Sequence, residues 1–311
     1  MGVHRVLIVG ARRRKQGLGG FIAQHFHQQG AVICGIVGTS QSSVHEARRY
    51  LKAQYGFSTQ GYTDLARAIE KSKPTVVVIA SPNLYHFEHL QVVAKYKLSC
   101  LCEKPLFWKN DKPFDPGEVE RLVDRFCKNG KLLQLVTQWP CTLDEFYSVY
   151  PGAKKKPLKR FSMLLGPVST GRQMVVDAMP HVLSMIHTLT GTGSVKNVTQ
   201  KIEGGERFKI IFNYMHAGGC LEVHVTLVQS LESPRPAGYA LDGNLVWRRI
   251  VMKNYQMYFA VNSGDLVPVK DPLKKLVGHF LDDLKKGKPT DRKRLIASMT
   301  DLNTIVEKFK L

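Results

Sequence analysis

The glycines between residues 10 and 20 are the first residues in this chain whose spacing suggests chemistry. The segment Gly10-Ala11-Arg12-Arg13-Arg14-Lys15-Gln16-Gly17-Leu18-Gly19-Gly20 follows an apolar run and opens onto a helical pattern. Gly10 permits a tight turn. Gly17 with Leu18 lets main chain approach a pyrophosphate, and Gly19 or Gly20 lets a helix pack closely on a sheet. A helix N-terminus at this place draws an anion through its free N–H groups and its dipole. Arg12, Arg13, Arg14 and Lys15 stretch the loop beyond GxGxxG and make it basic. The expected ligand is the phosphate portion of a dinucleotide.

The next strand ends Val37-Gly38-Thr39-Ser40. A site for NAD usually offers a carboxylate here to the ribose 2′-hydroxyl. This chain has no acidic residue until Glu46. The hydroxyls of Thr39 and Ser40, with the guanidinium groups of Arg12, Arg13 and Arg14, suit a 2′-phosphate instead. NADP(H) is the expected cofactor and NAD(H) the alternative. Asp177 and His181 are four residues apart and share one face of a helix. They can form an acid–base pair. They can equally be the N-cap of a helix over residues 178–190, with Pro180 in its first turn, and a core histidine.

These residues need elements to hold them. Residues 3–9, 31–37, 75–80, 99–103 and 132–137 are near-continuous apolar runs, predicted as buried strands. Helical patterns over 18–29, 42–55, 62–72, 84–97 and 116–129 alternate with them. Strand–helix alternation predicts an α/β fold with a doubly wound parallel sheet, binding its ligand at the carboxyl ends of the strands. Beyond about residue 139 the pattern changes. Runs at 208–214, 220–229, 237–242, 245–252 and 255–261 alternate at strand period with turns between them. They predict a second α/β domain with a largely antiparallel open sheet. Helices are expected over 272–286 and 292–310. The reading gives domains of 1–138 and 139–291, with the C-terminal helix 292–311 packing back on the first.

Composition bounds the function. The hydrophobic share is 43% and the charged share 23%, as in a folded globular chain. No run approaches the ~20 apolar residues of a membrane span, and the N-terminus goes directly into a strand, so a cytoplasmic protein without membrane contact is expected. The six cysteines include no CxxC pair, and no cluster has metal-ligand spacing, so no metal is expected. The net charge of +20 stands out. Its basic runs are not interleaved with aromatic residues, and no RNA- or DNA-binding motif accompanies them. Nucleic acid is not the expected partner; a small molecule, neutral or anionic, is.

Three further segments carry a resemblance. Ser81-Pro82-Asn83-Leu84-Tyr85-His86, then Glu103-Lys104-Pro105-Leu106, then Asp177-Ala178-Met179-Pro180-His181 resemble the glucose–fructose oxidoreductase / inositol dehydrogenase family (Gfo/Idh/MocA). Order, spacing and the change to a sheet-rich second half agree over nearly the whole chain. The resemblance implies a Rossmann domain followed by an α/β domain, and an oxidoreductase that moves a hydride between nicotinamide and a carbonyl or alcohol carbon of a sugar-like substrate. It implies that Lys104 and His181 are the acid and base, with Asp177 orienting. It places Ser81, Pro82, Asn83, His86 and Glu103 near the cofactor. Reduction of an imine or conjugated double bond is the alternative within the family, and a silent NADP-binding scaffold the alternative outside it. The open sheet leaves a homo-oligomer open. The segment after the sixth strand, Gln138-Trp139-Pro140, departs from the family pattern. Gln138, Trp139 and Arg172 are the substrate-side candidates: Trp139 as an apolar wall or as core packing, Arg172 as a clamp for a carboxylate or phosphate. The chain is also short for the family, which implies a trimmed second domain.

Overall fold

The computed structural model describes residues 2–11, 17–108, 115–203, 207–253 and 255–309. Two compact units account for the chain: Met1–Val136 with Leu273–Ile296, and Thr137–Pro272 with Ala297–Leu311. The sequence reading divides the chain at 138/139 and assigns the last helix to the first domain. The contact-defined units instead return residues 273–296 to the first and give the rest of that helix to the second.

The first unit is built on six strands, β1 (Arg5–Val9), β2 (Val32–Val37), β3 (Gly61–Tyr62), β4 (Val76–Ile79), β5 (Ser99–Glu103) and β6 (Leu133–Val136). Helices α1 (Gly19–Gln28), α2 (Gln41–Tyr55), α3 (Leu65–Ser72), α4 (His86–Lys95) and α5 (Pro116–Lys128) connect them. All pairings are parallel, in the order β3-β2-β1-β4-β5-β6. The β-branched run of β4 is buried along its whole length, as a central strand covered on both faces requires. Strand order reverses between β1 and β4, which places a crevice at their carboxyl ends. The two-residue β3 is too short to show periodicity and was not expected. The Gly38 N–H donates to the Tyr62 carbonyl at 3.0 Å. Tyr62 therefore joins the sheet, and α3 starts after Asp64 rather than at 62.

The second unit carries eight strands, β7 (Arg160–Leu165), β8 (Ser194–Ile202), β9 (Arg207–His216), β10 (Gly219–Val228), β11 (Ala237–Leu241), β12 (Asn244–Val251), β13 (Gln256–Ala260) and β14 (Leu266–Val269). Their order is β14-β13-β12-β11-β7-β10-β9-β8. Only the β7–β10 pairing is parallel. The expectation of a largely antiparallel sheet holds, but β7, β8 and β14 were not foreseen. Helices are α6 (Leu143–Val149) and α7 (Gly171–Thr190); α8 (Pro272–Lys285) lies mostly in the first unit and α9 (Arg292–Lys308) crosses the unit boundary. Side chains of β9 and β10 alternate between buried and open faces, and α7 packs against β7 and β10. Among the described residues no helix is long and apolar enough to cross a membrane.

Helix α7 begins at Gly171, not at 178, and continues through Pro180. A proline inside a helix costs about 3 kcal/mol. Met174, Val175, Met179, Val182, Leu183 and Ile186 are buried along the same helix, each contributing about 1.5–3 kcal/mol. Burial wins, and the helix runs on without the Pro180 N–H.

The far end of α7 is fixed by a buried polar pair. His187 Nε2 lies 3.1 Å from Asp301 Oδ2 on α9, and Asp301 Oδ1 accepts from the Val195 N–H at 3.3 Å. Phe309 meets Phe208 edge-on at 5.1 Å. Replacing Asp301 with Ala strands both donors in the interior. We expect Asp301→Ala to lower the unfolding free energy by about 3 kcal/mol, read as a shift of the urea midpoint; an unshifted midpoint would show the pair to be dispensable.

Candidate functional site

In the first unit a cleft of 790 Å³ opens at the carboxyl ends of the parallel strands. Gly10, Gly17, Leu18, Thr39, Ser81, Pro82 and Glu103, all singled out from sequence, line it. Gly10 holds φ at +87°, and a Cβ there would stand 2.6 Å from the Ala80 carbonyl oxygen. No side chain fits between the ends of β1 and β4 at this point. A Cβ on Gly19 would collide with the Gly10 carbonyl, so α1 starts directly against the strand end. Its N-cap position, Leu18, makes no side-chain capping bond, and its first turn holds no acidic residue. Leu18 thus brings the start of α1 to the cleft without a side-chain cap of its own. A dinucleotide pyrophosphate fits this cradle. Arg12, Arg13 and Arg14, expected beside it, lie outside the described residues.

The adenosine end is more mixed. Thr39 is exposed on the cleft. Ser40 is the N-cap of α2: its Oγ accepts from the Ser43 N–H at 3.2 Å, and Ser43 Oγ accepts from the Ser40 N–H at 3.0 Å. Its side chain is committed first to the helix. Asp64 also lines the cleft while capping α3 through the Arg67 N–H at 2.7 Å. Sequence reading used Asp64 only as a helix start. Tyr85 and His89, likewise not singled out, line the cleft from the turn before α4 and from α4 itself.

The spacing from Ser81 to His86 has a structural purpose. His86 is buried, with Nε2 2.7 Å from the Ser81 carbonyl and Nδ1 3.0 Å from the Pro105 carbonyl. It ties the loop after β4 to the loop after β5 and does not line the cleft. Asn83 opens a single 3₁₀ turn and also stands off the lining. Ser81 Oγ bonds His89 Nδ1 at 3.1 Å. Lys104 directly follows β5, half-buried, with a cis bond to Pro105. It sits one residue beyond Glu103, which reaches the cleft.

The second unit holds the other candidates. Asp177 and His181 lie one turn apart on α7, both half-buried. Asp177 accepts from Ser169 Oγ at 2.5 Å and from Gln173 Nε2 at 2.8 Å. Because α7 starts at Gly171, Asp177 is not its N-cap. Trp139 is buried, edge-on to Tyr239 at 6.0 Å, with the Arg248 guanidinium over its ring at 5.6 Å. It is both core and platform. Gln138 precedes it, half-buried, at the start of a 3₁₀ turn. Arg172 stands in the first turn of α7, about 180° around the helix from His181 at about 100° per residue. Among the described residues no group of three or more His, Cys, Asp or Glu gathers to hold a metal.

A family model described as "Oxidoreductase family, NAD-binding Rossmann fold" (GFO_IDH_MocA) matches residues 4–137. Comparison with curated protein sequences gives no match. Among solved structures the chain is similar to UDP-N-acetylglucosamine 3-dehydrogenase GnnA from Acidithiobacillus ferrooxidans, at 16% identity and TM-score 0.70, with 99% of each chain covered. It is also similar to myo-inositol 2-dehydrogenase from Lactobacillus plantarum, at 15% and 0.69, with 98% of this chain and 97% of that one covered. A third is biliverdin reductase from Synechocystis, solved with biliverdin and NADP+, at 14% and 0.65, with 97% and 98% covered. At these identities the likeness is one of fold. The mutual coverage corrects the expectation of a trimmed second domain: the chain has the length of these structures.

The buried His86 gives the site a pH signature. Burial lowers its pKa from the usual value, and the carbonyls of Ser81, Pro105 and Leu106 oppose that more weakly. Below about pH 6.5 the unfolded chain binds a proton that folded His86 resists. Stability should therefore fall as pH drops from about 6.5 toward the lowered native value, and His86→Gln should flatten that slope in urea titrations between about pH 7 and 5. An identical slope in the variant would remove His86 from the account.

Proposed function

We propose that this chain, whose residues 4–137 match the Gfo/Idh/MocA oxidoreductase family model, uses NADP(H) to interconvert an alcohol and a carbonyl on a sugar-like small molecule. The observation that carries the reading is the cleft in which Gly10, Gly17 and Leu18 meet the start of α1, with Ser81, Pro82 and Glu103 on the adjoining strand ends. The bound nicotinamide supplies or accepts the hydride.

The chain's own residues move the proton. Lys104, at the strand end beyond Glu103, carries an amine that can give a proton to a forming alkoxide or take one from a hydroxyl. His181 is the second acid/base, and Asp177, anchored by Ser169 and Gln173, orients it from one turn away. A complete acid–base set argues for turnover rather than silent cofactor binding. The positioning work falls to Asn83 and His86, which shape the loops around Ser81 and Lys104.

The preference for the 2′-phosphate rests on the exposed Thr39 at the cleft, on the basic run Arg12–Lys15 and on the lack of a carboxylate at the end of β2. Asp64, a carboxylate on the same lining, opposes it; Glu88 and Glu103 line the cleft as well. NADPH should bind at least ~10-fold more tightly than NADH by calorimetry; equal or tighter NADH binding would overturn the preference. Lys104→Ala and His181→Ala should each lower turnover ~10²-fold or more while leaving the NADPH dissociation constant within about threefold. Unchanged turnover in both variants would refute the assignment.

A further inference from the structure

We propose that Arg235 and Arg248 of the second unit form an oxyanion-binding subsite that recognises a carboxylate or phosphate group on the substrate. This builds on the sugar-like substrate proposed above and narrows it to an acidic or phosphorylated one. Sequence reading placed that role on Arg172.

Arg248 projects from β12 and lies over the ring of Trp139, 5.6 Å from its centroid. Trp139 is itself buried and braced by Tyr239, so the platform is fixed. Arg248 Nη2 donates to the Arg235 carbonyl at 2.7 Å. Its buried Nε meets no acceptor among the described residues. Arg235 stands between Pro234 and Pro236, whose rings fix the local main chain. Pro236 packs so closely on Gly166 that a Cβ there would come within 2.8 Å of its ring. The Arg248 guanidinium is held before any ligand arrives, and the main chain that carries Arg235 is fixed beside it.

Their charges are not matched locally. Burial and the like charge of Arg235 push the Arg248 pKa down to about 10, and burial lowers that of Arg235. The opposing influence on Arg235 comes from Tyr255 and Asp177, and both Asp177 oxygens already accept from Ser169 and Gln173. Two desolvated cations near one another are costly, and an arriving oxyanion removes the cost while meeting a fork of N–H donors. Asp177, one turn from His181 on α7, is among the charges that raise the Arg235 pKa.

The test is calorimetric binding of glucose, glucuronate and glucose 6-phosphate to the full chain saturated with NADPH, which fills the phosphate loop. We expect glucuronate, glucose 6-phosphate or both to bind at least ~10-fold more tightly than glucose; the tighter of the two identifies the oxyanion. Arg235→Gln and Arg248→Gln should each return that ligand to the level of glucose. Arg248→Gln frees the Arg235 carbonyl and can harm folding, so Arg235→Gln keeps the test sound. Equal binding of all three sugars by the unaltered protein, or an anion preference that survives both substitutions, overturns the proposal. A lowered melting temperature with the preference retained shows a purely structural arginine pair and also overturns it. Turnover is recorded separately, with NADP+ as well as NADPH: an intact anion preference with no hydride transfer in either direction would sink the hydride-transfer reading and leave the subsite standing.

Discussion

The close passage of main chain at Gly10 is the constraint on which the first unit depends. The end of β1 runs against the Ala80 carbonyl of β4 with room for a hydrogen but not a methyl group. That contact lets the two central strands part at their carboxyl ends without a side chain filling the gap. It also brings the start of α1 against the same point, since Gly19 meets the Gly10 carbonyl. The start of α1, an open crevice and the loops after β4 and β5 then converge. His86 fixes the last two to one another with a buried ring rather than by touching a ligand.

The second unit solves a different problem. Its sheet needs a cover on one face, and α7 supplies it by burying a long apolar stripe straight through Pro180. The stripe decides where Asp177 and His181 stand: on the less buried side of the same helix, one turn apart. Trp139 is shared between core and site, braced by Tyr239 on its edge while Arg248 covers its face. An aromatic ring in that position stabilises the unit and holds a cation at once.

Much of the first unit was legible because its signals are local. A buried parallel strand is a continuous run of Val and Ile, and a glycine turn is written in adjacent residues. Gly10, Gly17, Thr39, Ser81 and Glu103 were found that way. Asp64, Tyr85 and His89 were not, because each reads as a helix start or an ordinary helix residue until the strands are placed in order. In the second unit, β7 pairs with β10 and β11, distant in the chain, so nothing near it in sequence marks its partners; β8 pairs with the next strand, β9, but is mostly exposed and polar and carries no apolar alternation to show it. The start of α7 was set seven residues late because Pro180 reads as a first-turn proline when burial is unknown.

The sequence by itself determined the doubly wound sheet, the glycine turn at the end of its first strand and the segments that resemble an oxidoreductase family, since each rests on contacts between near neighbours or on short-range pattern. Only the tertiary structure decided that His86 is a tie between loops, that Ser40 serves α2 first, and that Arg248 lies over the Trp139 ring. Those outcomes depend on which distant strands lie side by side and how much water they exclude, and a linear pattern of residue types carries neither.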